Sequence, residues 1–200
     1  MYRLHDFQQS GNSYKIRLLL TQLEIPFEAI PVNIIQGETK KSEFITKNPK
    51  GKVPVLEIQP GIFLAESGSI LLYLAEGTKF LPSDSLEKAQ VTEWLFFEQY
   101  SLSANLSRPR YFISILKQPE KVSHLIKHWQ MLGYQALDVM ENHLQNRSFF
   151  VGDRYTIADI SLFAYTHVAE EGKFDLNKYP GIKAWIARVQ SQPKHITIKD

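Results

Sequence analysis

The chain contains no cysteine among its 200 residues. That excludes disulfides, thiolate zinc sites, CxxC redox motifs and a cysteine nucleophile. Any thiol chemistry must use a thiol carried in by a ligand. Excess charge is also lacking. With 23 basic against 21 acidic residues the net charge is +2, a balance that favours neither a nucleic-acid surface nor a polybasic membrane anchor. No apolar run approaches the roughly 18 residues of a membrane-spanning helix. The opening MYRLHDFQQS carries Arg3 and Asp6 and has no apolar stretch of signal-peptide length. A soluble, cytoplasmic protein is expected, with neither nucleic acid nor membrane among its partners. Internal repeats and low-complexity segments are absent too.

The 44% hydrophobic content suffices for one large domain or two small ones. The patterning divides near residue 77. Residues 2–7 alternate as a short strand. Residues 13–24 set Ile16, Leu19, Leu20 and Leu23 at helical spacing, with Lys15, Arg17 and Gln22 between them. Pro26 ends that helix, and residues 27–35 read as a second strand, which Pro31 marks as an edge. Strand, helix and strand in this order form a βαβ unit with a parallel pair. Residues 41–47 fit a short helix. Residues 53–58 and 62–65 are strand-like and flank Pro60-Gly61, which predicts an antiparallel hairpin. A helix over 67–76 stops at Gly77. The expected fold is α/β followed by all-α: a thioredoxin-like βαβ-ββα domain over 1–77, a linker over 78–85, and a helical domain over 86–200.

Within the second domain, a helix over 86–108 is expected to break or kink at Pro109. Residues 122–144 follow the 3.6 period closely. Residues 156–169 are nearly apolar on all sides, as the buried centre of a bundle would be. Tyr179-Pro180-Gly181 opens a last helix carrying Ile182, Trp185, Ile186 and Val189.

Three motifs, GKVPVLE (51–57), ESGSILLYL (66–74) and FVGDRYTIADI (150–160), stand in an order and at spacings that resemble the soluble glutathione transferases. The resemblance covers nearly the whole chain. The stretch QQSGNSYKIRLLL (8–20) resembles serine-type bacterial, theta-like and zeta-like members, nearest the cyanobacterial chi-type enzymes.

Each motif also has a structural reading. Base rates favour a trans Val53–Pro54 bond, cis occurring in only about 5–6% of X–Pro bonds. The resemblance implies a cis bond, with the Val53 backbone paired to the cysteinyl part of glutathione. Ser67 reads as the N-cap of the following helix, with no capping box because N3 is Ile70. The resemblance implies that Ser67 and the helix N-terminus take the γ-glutamyl carboxylate and that Glu66 attracts its ammonium. Thr156 and Asp159 have the form of a capping box and are read as structural.

By alignment with theta-like and zeta-like enzymes, Ser10 is the favoured thiol-activating hydroxyl, with Asn12 and Ser13 as runners-up. No nearby His and Asp set would make it a nucleophile. Its task would be to donate a hydrogen bond to a thiolate. Lowering a thiol pKa near 8.5 by about two units takes roughly 2.7 kcal/mol, within reach of one such bond plus a helix N-terminus. Arg17 could add positive potential, although it reads first as a solvated surface residue. For the glycine carboxylate, Thr39 and Lys52 fit the alignment best, ahead of Lys40, Lys41 and Lys50.

For the second substrate the candidates are Tyr100, Asn105, Arg108 and Phe112, although aromatics at helical spacing are as a rule core. His124 and His128 are i, i+4 but lack a third ligand, so no metal is expected. The reading is an enzyme that conjugates glutathione, as co-substrate and without a resident cofactor, to small hydrophobic electrophiles. The apolar excess of Ile70, Leu71, Leu72 and Leu74 and of the helix around Trp94 and Tyr100, with the resemblance, implies an isologous homodimer. Two alternatives stand beside this reading. A glutathione-dependent isomerase is disfavoured by the absence of the zeta-type doubled serine and cysteine. A non-enzymatic binding or scaffold protein is disfavoured by the presence of Ser10 and Glu66-Ser67.

Overall fold

The alternation at the start of the chain becomes β1 (Tyr2–Asp6), and the apolar run after it becomes α1 (Gly11–Gln22). These elements are taken from a computed structural model that describes all residues, 1–200. β2 (Phe27–Pro31) is shorter than the nine residues expected, because Asn33 Oδ1 turns the chain by accepting the Ile35 and Gln36 N–H groups at 3.1 Å each. A four-residue helix, α2 (Ser42–Ile45), precedes β3 (Val55–Gln59) and β4 (Ile62–Ala65). α3 (Ser67–Ala75) follows. The sheet order is β2-β1-β3-β4, with β1 and β2 parallel and the other neighbours antiparallel. Pro31 lies in the edge strand, where its missing donor leaves no gap inside the sheet. Gly61 turns the β3–β4 hairpin at φ +80°, a conformation open to glycine at no steric cost.

Two compact units result, Met1–Glu76 with Pro193–Asp200, and Gly77–Gln192. In the first, Leu4 and Leu56 are paired across β1 and β3 and are fully buried, as are Ile16, Leu19, Ile70 and Leu71 of α1 and α3. Val32, Phe44 and Val55 form a separate buried cluster.

The sequence reading assigned residues 193–200 to the helical domain, whereas they pack in the first unit. The reason is a set of polar contacts on α1. The Tyr14 hydroxyl donates to Ile196 O at 2.8 Å, and the Arg17 guanidinium donates to Ile198 O at 2.9 Å and to Asp6 Oδ2 at 2.6 Å. Arg17 is therefore a buried clamp and not a solvated residue. Ten of the twelve α1 residues are buried, and burial pushes the Tyr14 phenol upward from its ordinary pKa.

The second unit is helical. α4 (Ser85–Phe97) and α5 (Ser103–Arg110) are joined by a π-type turn, Glu98–Leu102. The helix runs through Pro109, and a second π-type turn, Tyr111–Ile115, follows directly. The expected break at Pro109 does not occur: the helix continues through the proline and takes π geometry from Tyr111 onward. α6 (Ser123–Leu144), α7 (Ile157–Thr166) and α8 (Pro180–Gln190) complete the unit. All ten α7 residues are buried. The Thr156–Asp159 capping box is present, and Asp159 also accepts from Phe150 N and Trp185 Nε1. Glu141 of α6 caps α8 by accepting the Gly181 and Ile182 N–H groups at 2.9 Å each. No helix is long and apolar enough to cross a membrane.

Candidate functional site

β1 delivers the chain to a tight turn in which Ser10 N donates to Phe7 O at 2.8 Å. Ser10 is the N-cap of α1, its Oγ accepting from Ser13 N at 3.3 Å. The cap uses a lone pair and leaves the Ser10 hydroxyl proton available. The first amides of α1, Gly11 and Asn12, have no intrahelical acceptor, as at any helix start. Ser13, a runner-up for thiol activation, is fully buried and its hydroxyl has no partner. It presents nothing to a ligand, which narrows the candidates to Ser10 and Asn12.

Asn12 is half-buried, and its side-chain oxygen is taken twice. Lys15 Nζ donates to Asn12 Oδ1 at 2.9 Å, and Ser67 Oγ donates to the same atom at 3.4 Å. Lys15 Nζ also lies 3.4 Å from Ser67 Oγ. The N-terminal ends of α1 and α3 therefore meet through one small polar cluster.

Ser67 is not the N-cap of α3. That position belongs to Glu66, at φ +70° and ψ 116° with no side-chain cap bond, and Ser67 is the first helical residue. The strained backbone at Glu66 leaves the α3 amides uncapped and turns the Ser67 hydroxyl to Lys15 and Asn12. The exposed Glu66 carboxylate is 2.7 Å from Lys50 Nζ.

The Val53–Pro54 bond is cis, as the resemblance implied and against the base rate. It directly precedes β3, and neither the Val53 N–H nor its C=O is engaged by the surrounding chain. Thr39, one of the two favoured glycine-carboxylate residues, is buried at 4% exposure, whereas Lys52 is exposed. Gly51 passes close to Thr39: at φ +59°, a Cβ there would stand 2.9 Å from Thr39 O, so the position favours glycine.

The helical unit contains a cavity of about 530 Å³ lined by Tyr100, Asn105 and Arg108 with Phe97, Gln99 and Leu132. Three of the four expected second-substrate residues thus share one cavity. Phe112 does not line it. Its ring stacks on Trp129 at 6.2 Å, and the Arg108 guanidinium sits over the same indole. Asn105 is buried and donates to Ser101 O at 2.8 Å. His124 and His128 are exposed on α6.

Lys15 is the residue that the sequence reading missed. Helical spacing put it on a polar stripe, yet it is fully buried. The available signal was its i, i+3 relation to Asn12.

Models of the glutathione S-transferase N-terminal domain and C-terminal domain match residues 2–76 and 110–193. The disulfide-bond oxidoreductase YfcG of Escherichia coli (strain K12) is 30% identical over 194 residues, covering 94% of this chain and 89% of that protein. A crystal structure of a glutathione S-transferase from Pseudomonas fluorescens Pf-5 has a TM-score of 0.97 at 46% identity, covering 100% of this chain and 99% of that one. A possible glutathione S-transferase from Rhodopseudomonas palustris has a TM-score of 0.97 at 43% identity, covering 99% and 90%. The chain belongs to the glutathione S-transferase family.

Proposed function

We propose that the protein activates glutathione as a thiolate and transfers it to small hydrophobic electrophiles, with glutathione as co-substrate and no resident cofactor. The observation that carries this reading is the junction of Asn12 with Ser67. It brings together two helix N-termini, each suited to an anion. Glutathione offers matching groups: a thiolate for the α1 end and a γ-glutamyl carboxylate for the α3 end. In this reading Glu66 exchanges its ion pair with Lys50 for the γ-glutamyl ammonium, and the exposed Lys52 takes the glycine carboxylate. The Val53 N–H and C=O are free to pair with the cysteinyl backbone.

At the sulfur, Ser10 Oγ–H and Asn12 Nδ2 are both donors without a competing acceptor. Hydrogen bonds to a charged group contribute about 1.5–3 kcal/mol each, enough for the roughly two-unit fall in thiol pKa that catalysis at neutral pH calls for. The test is conjugation of an aryl halide by Ser10→Ala and Asn12→Ala, with glutathione affinity measured by calorimetry. Each variant is expected to lose turnover far more than affinity. Ser67→Ala and Glu66→Gln are expected to lose affinity first. Full activity in the Ser10→Ala, Asn12→Ala double variant would refute the assignment.

A second reading is favoured by the 30% identity to a disulfide-bond oxidoreductase, taken with the absence of cysteine. Here the bound glutathione thiolate attacks a disulfide, forming a mixed disulfide and releasing one thiolate. A second glutathione thiolate then attacks the mixed disulfide, yielding oxidised glutathione and the second thiolate. Both electrons come from glutathione, so the chain needs no thiol of its own. Assaying a small disulfide beside the aryl halide, both with glutathione, decides between the two.

A further inference from the structure

Lys15 is fully buried on α1, where an ammonium costs several kcal/mol of lost hydration unless its surroundings compensate. Its Nζ is 2.9 Å from Asn12 Oδ1 and 3.4 Å from Ser67 Oγ. An ammonium has three donors and no acceptor, whereas an amide and a hydroxyl can each do both. Lys15 therefore decides how its two neighbours face. Asn12 must turn its oxygen inward, which leaves Nδ2, a donor only, for the ligand. Ser67 must offer a lone pair to Lys15, which leaves its O–H to donate, to Asn12 Oδ1 at 3.4 Å or to an incoming carboxylate.

We propose that Lys15 is a positioning residue, which turns Asn12 and Ser67 into donors and holds a positive charge beneath the thiolate and the γ-glutamyl carboxylate of bound glutathione. The inference rests on the glutathione reading above. It adds that the thiol and γ-glutamyl subsites share one buried cation, so that both weaken together when the charge is removed. A merely packed lysine would affect stability and leave the sulfur alone.

The experiment measures the pKa of the bound thiol from thiolate absorbance across pH, the pH profile of kcat/KM, glutathione affinity, and melting temperature. The proteins are wild type, Lys15→Met, Lys15→Gln and Asn12→Ala. Lys15→Met is expected to raise the bound-thiol pKa by about one unit, the lower end of what an opposite charge nearby supplies. The kcat/KM profile should move with it, and glutathione affinity should fall about tenfold. Lys15→Gln, which keeps a donor and removes the charge, is expected to move the pKa in the same direction and serves if Lys15→Met does not fold. Adding Lys15→Met to Asn12→Ala should shift the pKa by less than it does in wild type, because the amide route is already gone. Variants with lowered melting temperature but an unmoved thiol pKa and pH profile would overturn the proposal. A wild-type protein with no thiolate signal would instead overturn the glutathione reading.

Discussion

Asp159→Ala is expected to destabilise the protein more at pH 5 than at pH 7. Four donors converge on this carboxylate. Phe150 N and Trp185 Nε1 reach Oδ1 at 3.2 and 2.9 Å, and Thr156 N and Thr156 Oγ1 reach Oδ2 at 2.9 and 3.2 Å. Alanine leaves two backbone N–H groups and an indole N–H in a fully buried space without an acceptor. At about 1–3 kcal/mol for each orphaned donor, and allowing for relaxation, the loss is about 4 kcal/mol at neutral pH. Burial works against the charge and pushes the Asp159 pKa from 3.8 to about 6, despite the donors that favour ionisation. Between those values the folded protein holds a proton that the unfolded chain has released. The stability from that proton is complete below about pH 4 and is lost as pH rises through about 6, amounting to about 3 kcal/mol in all. Alanine has no such proton. The gap between wild type and variant should therefore widen by about 1 kcal/mol from pH 7 to pH 5. Urea unfolding of both proteins at the two pH values, followed by tryptophan fluorescence, measures it. A gap that is constant, or wider at pH 7, refutes the reasoning. Activity per folded molecule should stay near wild type, because Asp159 bonds only to groups of the helical unit's core. A stable but inactive variant would contradict its structural role.

Removing the Arg17 clamp leaves the Asp6 carboxylate buried and alone, so Arg17→Met should cost about 3–5 kcal/mol in urea unfolding. The Arg17→Met, Asp6→Asn double variant should recover a large part of that, and strictly additive losses would argue against the pair. Gly133→Ala gains about 1 kcal/mol of helix propensity, but its Cβ would stand 2.6 Å from Phe174 Cε1 and 2.9 Å from Leu106 Cδ1. Overpacking at about 1–3 kcal/mol should win, and a raised melting temperature would disprove it. Phe96 and Tyr100 stand 71% and 86% exposed, more than water tolerates cheaply for rings of that size. Sedimentation equilibrium should give twice 23.1 kDa for wild type and a weakened association for Phe96→Ser, Tyr100→Ser. A monomeric wild type at micromolar concentration would exclude the dimer.

What the sequence made legible was whatever depends on neighbours in the chain. Alternation, the Pro60-Gly61 turn and the Thr156–Asp159 spacing are local, and their structural counterparts lie where such signals put them. What it hid was set by distant residues. Nothing within α1 shows that residues 196–198 return to cover Tyr14 and Arg17, or that Lys15, two positions from Arg17 and on another face, meets Ser67. Ser67 reads as an N-cap because serine caps well. The cap moved to Glu66 because that residue adopts a positive φ, which its side chain gives no reason to expect. Ser13 looked as available as Ser10 and Asn12, yet successive helical positions point about 100° apart, and its side chain is buried. Asp159 was legible as a cap but not as the hub that also holds Phe150 and Trp185, since that depends on how α8 packs.

The return of residues 193–200 to the first unit has a consequence for synthesis. Residues 77–192 lie between the two parts of that unit in the chain, and at about 5–20 residues per second they take several seconds or more to be made. Through that interval β1, α1 and the rest of the sheet are already present, while the Tyr14 hydroxyl and the Arg17 guanidinium wait for the carbonyls of Ile196 and Ile198. The helical unit, continuous in sequence, has no such wait. Of the two units, the one that begins to emerge first is therefore the one finished last, and a ribosome stalled before residue 193 holds a sheet domain whose α1 flank is still open.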